Sequence, residues 1–150
     1  MTSKKQIEDF LSVKTVAVVG VSANKKKFGS IIFNDLKSKG YITYPVNPNT
    51  KEIDGEKCYP DLISLAGKAE AAVIVVPPEV TNVVVKDAFK AGIRKIWMQQ
   101  GSESKEAIKF CEENNISVIT NQCILMFAQP SGFIHKAHKL ILGLTGQLPK

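Results

Sequence analysis

Arginine is almost absent from this chain. Arg94 is the one example, although the formal charge is +6. Arginine dominates the bidentate reading of bases, so its scarcity argues against a nucleic-acid partner that the charge alone would suggest. Lysines spread over helix faces account for the charge, and a few of them suffice for a small polyanionic ligand. Cysteine is scarce as well. Cys58, Cys111 and Cys123 are odd in number and far apart, which argues against a disulfide framework and fits a reducing compartment. No C-x-x-C pair occurs, so no zinc site is expected. No apolar run approaches the ~20 residues of a membrane span. Lys4 and Lys5 have no apolar core behind them, so no secretory leader is expected. These absences predict a cytoplasmic protein with neither a membrane nor a nucleic-acid partner.

What is present alternates. With 150 residues, one domain is expected. Ser3 to Ser12 reads as a short helix with Ile7, Phe10 and Leu11 on one face and Ser3 as its cap. Thr15–Val19 reads as a strand buried on both faces. A helix over Phe28–Lys39 follows, with Phe28, Ile31, Ile32 and Leu36 expected inward, and Gly40 ends it. Tyr41–Val46 is the second strand. Asp54-Gly55 marks a tight turn. Lys57–Tyr59 is a very short strand placed at the sheet edge, because Pro60 cannot continue a ladder. Asp61–Ala66 reads as a short helix.

The second half repeats the pattern. Ala71–Val76 is the most apolar strand and stops at Pro77-Pro78. Glu79–Ala91 is a helix with Val80, Val83, Val84, Ala88 and Phe89 as burial candidates. Arg94–Met98 is a strand. The next helix starts at Ser102 or Ser104, with Ala107, Ile108 and Cys111 inward, and Ile116–Ile119 is the last strand. Ile124–Ala128 fits either strand or helix, and Phe133–Leu142 reads as a closing helix. Strand and helix alternate without repeat or linker, which predicts an α/β fold with a doubly wound, mostly parallel sheet. The expected strand order is 3-2-1-4-5-6, with Lys57–Tyr59 as edge strand 3. Ligands of such sheets lie beyond the carboxyl ends of the strands.

Those ends carry the candidate site. Gly20, Val21 and Ser22 follow the first strand, with Lys27, Phe28 and Gly29 opening the helix beyond. Gly20 permits a sharp turn, and a helix N-terminus suits phosphate. The loop is not G-x-G-x-x-G, since Ser22 stands at the second glycine. Asn47 and Pro48 end the second strand, where NAD-binding domains usually place a carboxylate for the ribose. Its absence disfavours NAD, while Lys51 nearby leaves NADP open. Pro77 and Pro78, Gln100 and Gly101, and Asn121 and Cys123 complete the rim. No nucleophile, base and orienting group come together there, so no catalytic residue is assigned. His135 and His138 lack a third ligand and read as helix-packing or solvated residues. Cys123 reads as a packed small residue or as a thiol at the ligand rim.

In order, the motifs Val18-Val19-Gly20-Val21-Ser22, Tyr44-Pro45-Val46-Asn47-Pro48 and Gly55-Glu56-Lys57-Cys58-Tyr59-Pro60 form a familiar series. Val75-Val76-Pro77-Pro78, Trp97-Met98-Gln99-Gln100-Gly101 and Asn121-Gln122-Cys123 continue it. The chain resembles small stand-alone CoA-binding domain proteins, which are similar to the N-terminal CoA-binding domain of the succinyl-CoA synthetase α subunit. The resemblance implies a Rossmann-like fold that binds CoA or acyl-CoA, with pyrophosphate against Gly20, Val21 and Ser22. It implies that Val76 and Pro77 flank the ligand and that Asn121 and Cys123 close the pocket. Lys27 stands where such proteins often have Arg, so a point charge replaces a fork. After the last strand, Thr120-Asn121-Gln122-Cys123-Ile124 departs from the synthetase-like Pro-Asn-Cys-Pro-Gly. The match does not reach the synthetase domain with the phosphorylated histidine, so ligase activity is not expected. The expectation is a non-catalytic CoA carrier, sensor or accessory subunit, with a partner enzyme or a second copy as partner. An NAD(P)-binding redox enzyme or sensor is the alternative. A mixed disulfide between Cys123 and CoA is a subordinate expectation.

Overall fold

Val16 and Val18 face one way from the first strand, Ala17 and Val19 the other, and all four are buried. In the computed structural model, which describes residues 2–128, this strand lies inside the sheet, paired on both edges. Helix α1 (Lys4–Leu11) precedes it, and Ser3 and Gln6 form a reciprocal capping box at its start. The strand itself is β1 (Thr15–Val19), followed by α2 (Phe28–Ser38) and β2 (Ile42–Val46). The short strands β3 (Glu52–Ile53) and β4 (Glu56–Lys57) come next, then a 3-10 turn at Ile63–Leu65. β5 (Ala71–Ile74), α3 (Pro78–Lys90), β6 (Lys95–Gln99), α4 (Lys105–Glu113) and β7 (Ser117–Gln122) complete the alternation, with a 3-10 turn at Ile124–Met126.

The main sheet is five-stranded and parallel in the order β2-β1-β5-β6-β7. The expected doubly wound α/β class holds, and the place of the short third strand does not. Glu56–Lys57 pairs antiparallel with Glu52–Ile53 around Asp54-Gly55, as a separate two-stranded ribbon. Tyr59 makes only a single parallel bridge to Val46. The reason lies in the backbone donors. The Cys58 N–H is spent on the Lys51 carbonyl, and Pro60 has none to give. Tyr59 alone is left to exchange hydrogen bonds with Pro45 and Asn47.

Two apolar layers sandwich the sheet. On one side α1, α2 and the 124–126 turn pack over Val16, Val18, Val73 and Trp97. The Trp97 ring meets Phe10 edge-on at 5.4 Å, and its Nε1 donates to the Gln122 carbonyl at 2.9 Å. On the other side α3 and α4 cover Ala17, Val19, Ile74 and Met98.

Both long helices are rotated from the expected register. In α2 the buried residues are Ile32, Phe33 and Leu36, while Phe28 and Ile31 stay exposed. Gly29 and Ser30 are drawn against the turn after β1, which turns Phe28 and Ile31 outward. In α3 the buried residues are Thr81, Val84, Val85 and Ala88, while Val80, Val83 and Phe89 are exposed. Thr81 fixes that rotation, because its buried hydroxyl donates to the Ser102 carbonyl at 2.8 Å. Phe89 instead meets Phe110 edge-on at 6.0 Å. Ile108 is only half-buried, beside the fully buried Ala107 and Cys111. The segment with Phe133–Leu142, His135 and His138 lies outside the described residues.

Candidate functional site

The turn after β1 is built from two glycines in contact. Gly20 has φ +108°, and a methyl group there would lie 2.2 Å from the Val75 carbonyl oxygen. A methyl group at Gly29 would lie 2.2 Å from the Gly20 carbonyl oxygen. No side chain fits either position, so the first turn of α2 rests directly on the strand end. Val21 is buried beneath it. Ser22 is tied to Ser30: its N–H donates to Ser30 Oγ (3.1 Å), and that hydroxyl donates back to the Ser22 carbonyl (2.8 Å). Ser22 Oγ accepts from the Asn24 N–H, and Asn24 Oδ1 from the Lys26 N–H. The exposed Lys25, Lys26 and Lys27 are thus carried on a folded loop. Lys27 caps α2 without a side-chain hydrogen bond. The N–H groups of Phe28 and Gly29 have no partner among the described residues. A helix start of this kind receives an anion.

A cleft of about 430 Å³ opens from this turn, within the range of small-molecule sites. Val19, Gly20, Val46 and Val76 form its floor at the strand ends. Pro48, Asn49, Pro60, Asp61 and Leu62 form one wall, and Val80, Val83, Val84 and Asp87 of α3 form the other. Of the residues expected at the site, Gly20, Asn47, Pro48 and Val76 meet in this cleft. Val21, Ser22, Lys27, Phe28 and Gly29 make up the adjoining turn and helix start. Pro77 is the N-cap residue of α3, next to Val76.

Asn47 is held at both ends of its amide. Its Nδ2 donates to the Val21 carbonyl at 2.8 Å, and its Oδ1 accepts from the Asn49 N–H at 2.8 Å. It clamps the loop after β2 to the turn after β1.

Gln100, Gly101, Asn121 and Cys123 do not line the cleft, and they gather instead at the carboxyl ends of β6 and β7. The Glu103 carboxylate joins them, accepting from the N–H groups of Gly101 (2.8 Å) and Asn121 (2.9 Å). Gln100 Nε2 donates to the Asn121 carbonyl at 3.4 Å. Cys123 is half-buried, whereas Cys58 and Cys111 are buried, and all three are free thiols. Burial pushes the Cys58 thiol up, against a hydrogen bond to Asn47. Burial, with Glu112 nearby, pushes the Cys111 thiol up to about 12. Among the described residues, no three His, Cys, Asp or Glu side chains group as a metal site, and no helix is long and apolar enough to cross a membrane.

The α3 wall and the Pro60–Leu62 wall went unseen in the sequence. The available signal was an overfull apolar stripe: Val80, Val83 and Val84 run into Asp87 at helical spacing, and a carboxylate has no place in a core. Burial pushes the Asp87 carboxyl above the usual range, the Asp61 charge adds to this, and Lys90 partly offsets it.

The family described as CoA binding domain matches residues 14–129. The chain belongs to the CoA-binding domain family. Among curated relatives, the ADP-forming acetate–CoA ligase II of Archaeoglobus fulgidus is 32% identical over 108 residues, covering 71% of this chain. The chain spans 16% of that ligase's length. Among solved structures, a conserved hypothetical protein of Pyrococcus furiosus is 42% identical with a TM-score of 0.72, covering 75% of this chain and 97% of that one. The dinucleotide-forming acetyl-coenzyme A synthetase 1 of Ca. Korarchaeum cryptofilum is 31% identical with a TM-score of 0.66, covering 75% of this chain and 27% of that one. The resemblance to CoA-binding domains, drawn from strand-end motifs, is thus borne out. This CoA-binding domain has its glycine turn and cleft side by side at the carboxyl ends of β1, β2 and β5.

Proposed function

We propose that this domain binds CoA or acyl-CoA in the cleft and does not itself catalyse a reaction. The observation that carries the reading is the continuity between the Gly20–Gly29 contact and the cleft. The open first turn of α2 and Lys27 suit the pyrophosphate, over Gly20, Val21 and Ser22. The apolar walls beyond suit the nucleoside, flanked by Pro48, Val76 and Pro77. Gln100, Gly101, Asn121 and Cys123, which the resemblance would place around the ligand, stand outside the cleft at the ends of β6 and β7, within reach only of a ligand that extends beyond it.

A binding role suits what lines the cleft. Its titratable groups are Asp61 and Asp87, and Asp61 is already spent on capping a turn, accepting from Ser64 N–H and Oγ. The domain is a carrier, a sensor, or an accessory subunit to a partner enzyme. The ligase and synthetase relatives support the last, since the chain matches only a part of each. Three free thiols suit a reducing cytoplasm.

Calorimetric titration of CoA, acetyl-CoA, NAD and NADP tests the reading. Heat from both CoA species and none from NAD or NADP is expected. Tight NAD or NADP binding without CoA heat would replace the reading with the redox alternative.

A further inference from the structure

Val80, Val83, Val84 and Asp87 stand at i, i+3, i+4 and i+7 on α3 and all line the cleft. Val80 lies at the rim, one turn past Val76 and the glycine turn. Asp87 is seven residues further along, about 10 Å at 1.5 Å per residue. A ligand whose phosphate sits at the helix start of α2 therefore has its far end near Asp87. Between those points the walls are mostly Val, Pro and Leu side chains, with Asn49 the one amide, and these suit the faces of a ring and not an anion.

The two ends of the cleft are chemically opposed. The rim is positive, with Lys25–Lys27 and the start of α2. The far end is negative, with Asp87 facing Asp61. Asp61 Oδ1 accepts from the Ser64 N–H and Oγ, both at 2.9 Å. The Asp87 carboxylate has no hydrogen bond or ion pair among the described residues. A half-buried carboxylate without a partner takes up an N–H donor and repels a phosphate.

We propose that Asp87 is the residue that selects the base of the bound nucleotide, accepting a hydrogen bond from the amino edge of its purine. This deepens the CoA reading and rests on it. It orients the ligand, with the base at Asp87 and the phosphates at Gly20–Ser22. It also gives Asp87 a donor for the oxygens that burial and Asp61 leave costly to ionise.

The test compares CoA with its 1,N6-etheno derivative, in which a fused ring removes every N–H donor from that edge of adenine. Titrations use the full chain, with wild type and Asp87→Leu in parallel. Leucine has a similar shape and no acceptor. Long-range charge effects of the substitution act on both ligands and cancel in the ratio of affinities. Wild type should bind etheno-CoA about tenfold more weakly than CoA, the scale of one charge-assisted hydrogen bond. Asp87→Leu should bind the two within about twofold. Equal binding by wild type overturns the role of Asp87 while leaving CoA binding intact, and needs no variant to fold. Discrimination that persists in Asp87→Leu assigns the difference to ring bulk and also overturns it. Failure of wild type to bind either ligand overturns the CoA reading itself.

Discussion

Gly29 rests on the carbonyl of Gly20, so closely that a methyl group at Gly29 would lie 2.2 Å from that oxygen. This contact joins the first strand to the first turn of α2 without a side chain between them. It sets the rotation of α2 and leaves the N–H groups of Phe28 and Gly29 beside the strand end. Gly29→Ala must push the helix away from backbone atoms, which cannot yield as a flexible side chain would. The expected loss is about 1–3 kcal/mol, the usual cost of overpacking. Urea denaturation should show a lower midpoint with unchanged slope. CoA affinity should fall more than stability does, because the helix start moves off the anion.

Asn47 is expected to matter as a clamp. Asn47→Asp replaces the donor to the Val21 carbonyl by an acceptor, placing two oxygens where the present hydrogen bond spans 2.8 Å. The loss of stability should be about 1–3 kcal/mol, that of a broken and then repulsive half-buried pair. The substitution restores the carboxylate that NAD-binding domains use at this strand end. NAD titration of Asn47→Asp should nevertheless give no binding, because the side chain points to the turn. Acquired NAD affinity would show that Asn47 is free to face a ribose.

Lys27 contributes as an exposed point charge at the mouth of the site. Lys27→Glu should weaken CoA binding and flatten its dependence on salt, since fewer charges are then screened. Titrations at low and high ionic strength measure both. Unchanged affinity would remove Lys27 from the site.

The three thiols should separate by access. Incubation with CoA disulfide should attach CoA at the half-buried Cys123 and release one CoA thiol, while the protonated, buried Cys58 and Cys111 remain free. Intact mass should show one adduct, absent from Cys123→Ser. An adduct that persists in that variant places the reactive thiol elsewhere.

The residues on which these predictions rest were not equally legible. Thr15–Val19 is a strand in the sequence and in the fold, because an apolar run closed by a glycine admits little else. Gly20, Asn47 and Pro48 were accessible for the same reason: each follows a strand, and parallel strands end on one rim, whereas Val76 came only with the resemblance. The α3 wall was not legible. Val80 and Val83 carry the spacing of core residues, and periodicity cannot distinguish a core from the wall of an apolar cleft. The hydrogen bond from Thr81 to the Ser102 carbonyl decides which valines turn inward, and it joins residues 21 positions apart. The edge position of Lys57–Tyr59 failed similarly, since the Lys51 carbonyl competes for the Cys58 N–H. Glu103 escaped notice because its role is to receive N–H groups from two segments far apart in sequence, at Gly101 and Asn121.

Glu70 and Asp87 should shape the acid limb of stability in opposite senses. At Glu70 burial raises the carboxyl, but hydrogen bonds from Thr15 Oγ1 and the N–H groups of Lys14 and Thr15, with Lys95 nearby, outweigh it and hold the group below the usual range. The folded state therefore binds this proton less readily than the unfolded chain. Its contribution is complete above the unfolded value of about 4.3 and is lost as pH falls through the lower folded value. At Asp87 the folded carboxyl lies above its ordinary value. That group destabilises the ionised fold, so stability declines as pH rises from the unfolded value of about 3.9 through the raised one. Glu70→Gln should lower stability at neutral pH and converge with wild type in acid. Asp87→Asn should raise stability at neutral pH and likewise converge in acid. Both effects should be small, because the two side chains are partly in water and solvent screens their interactions. Urea midpoints measured from neutral pH down to about pH 3 resolve the signs. A loss of stability in both variants would mean that the unpartnered carboxylate of Asp87 is stabilised in the fold, and so does not await a donor.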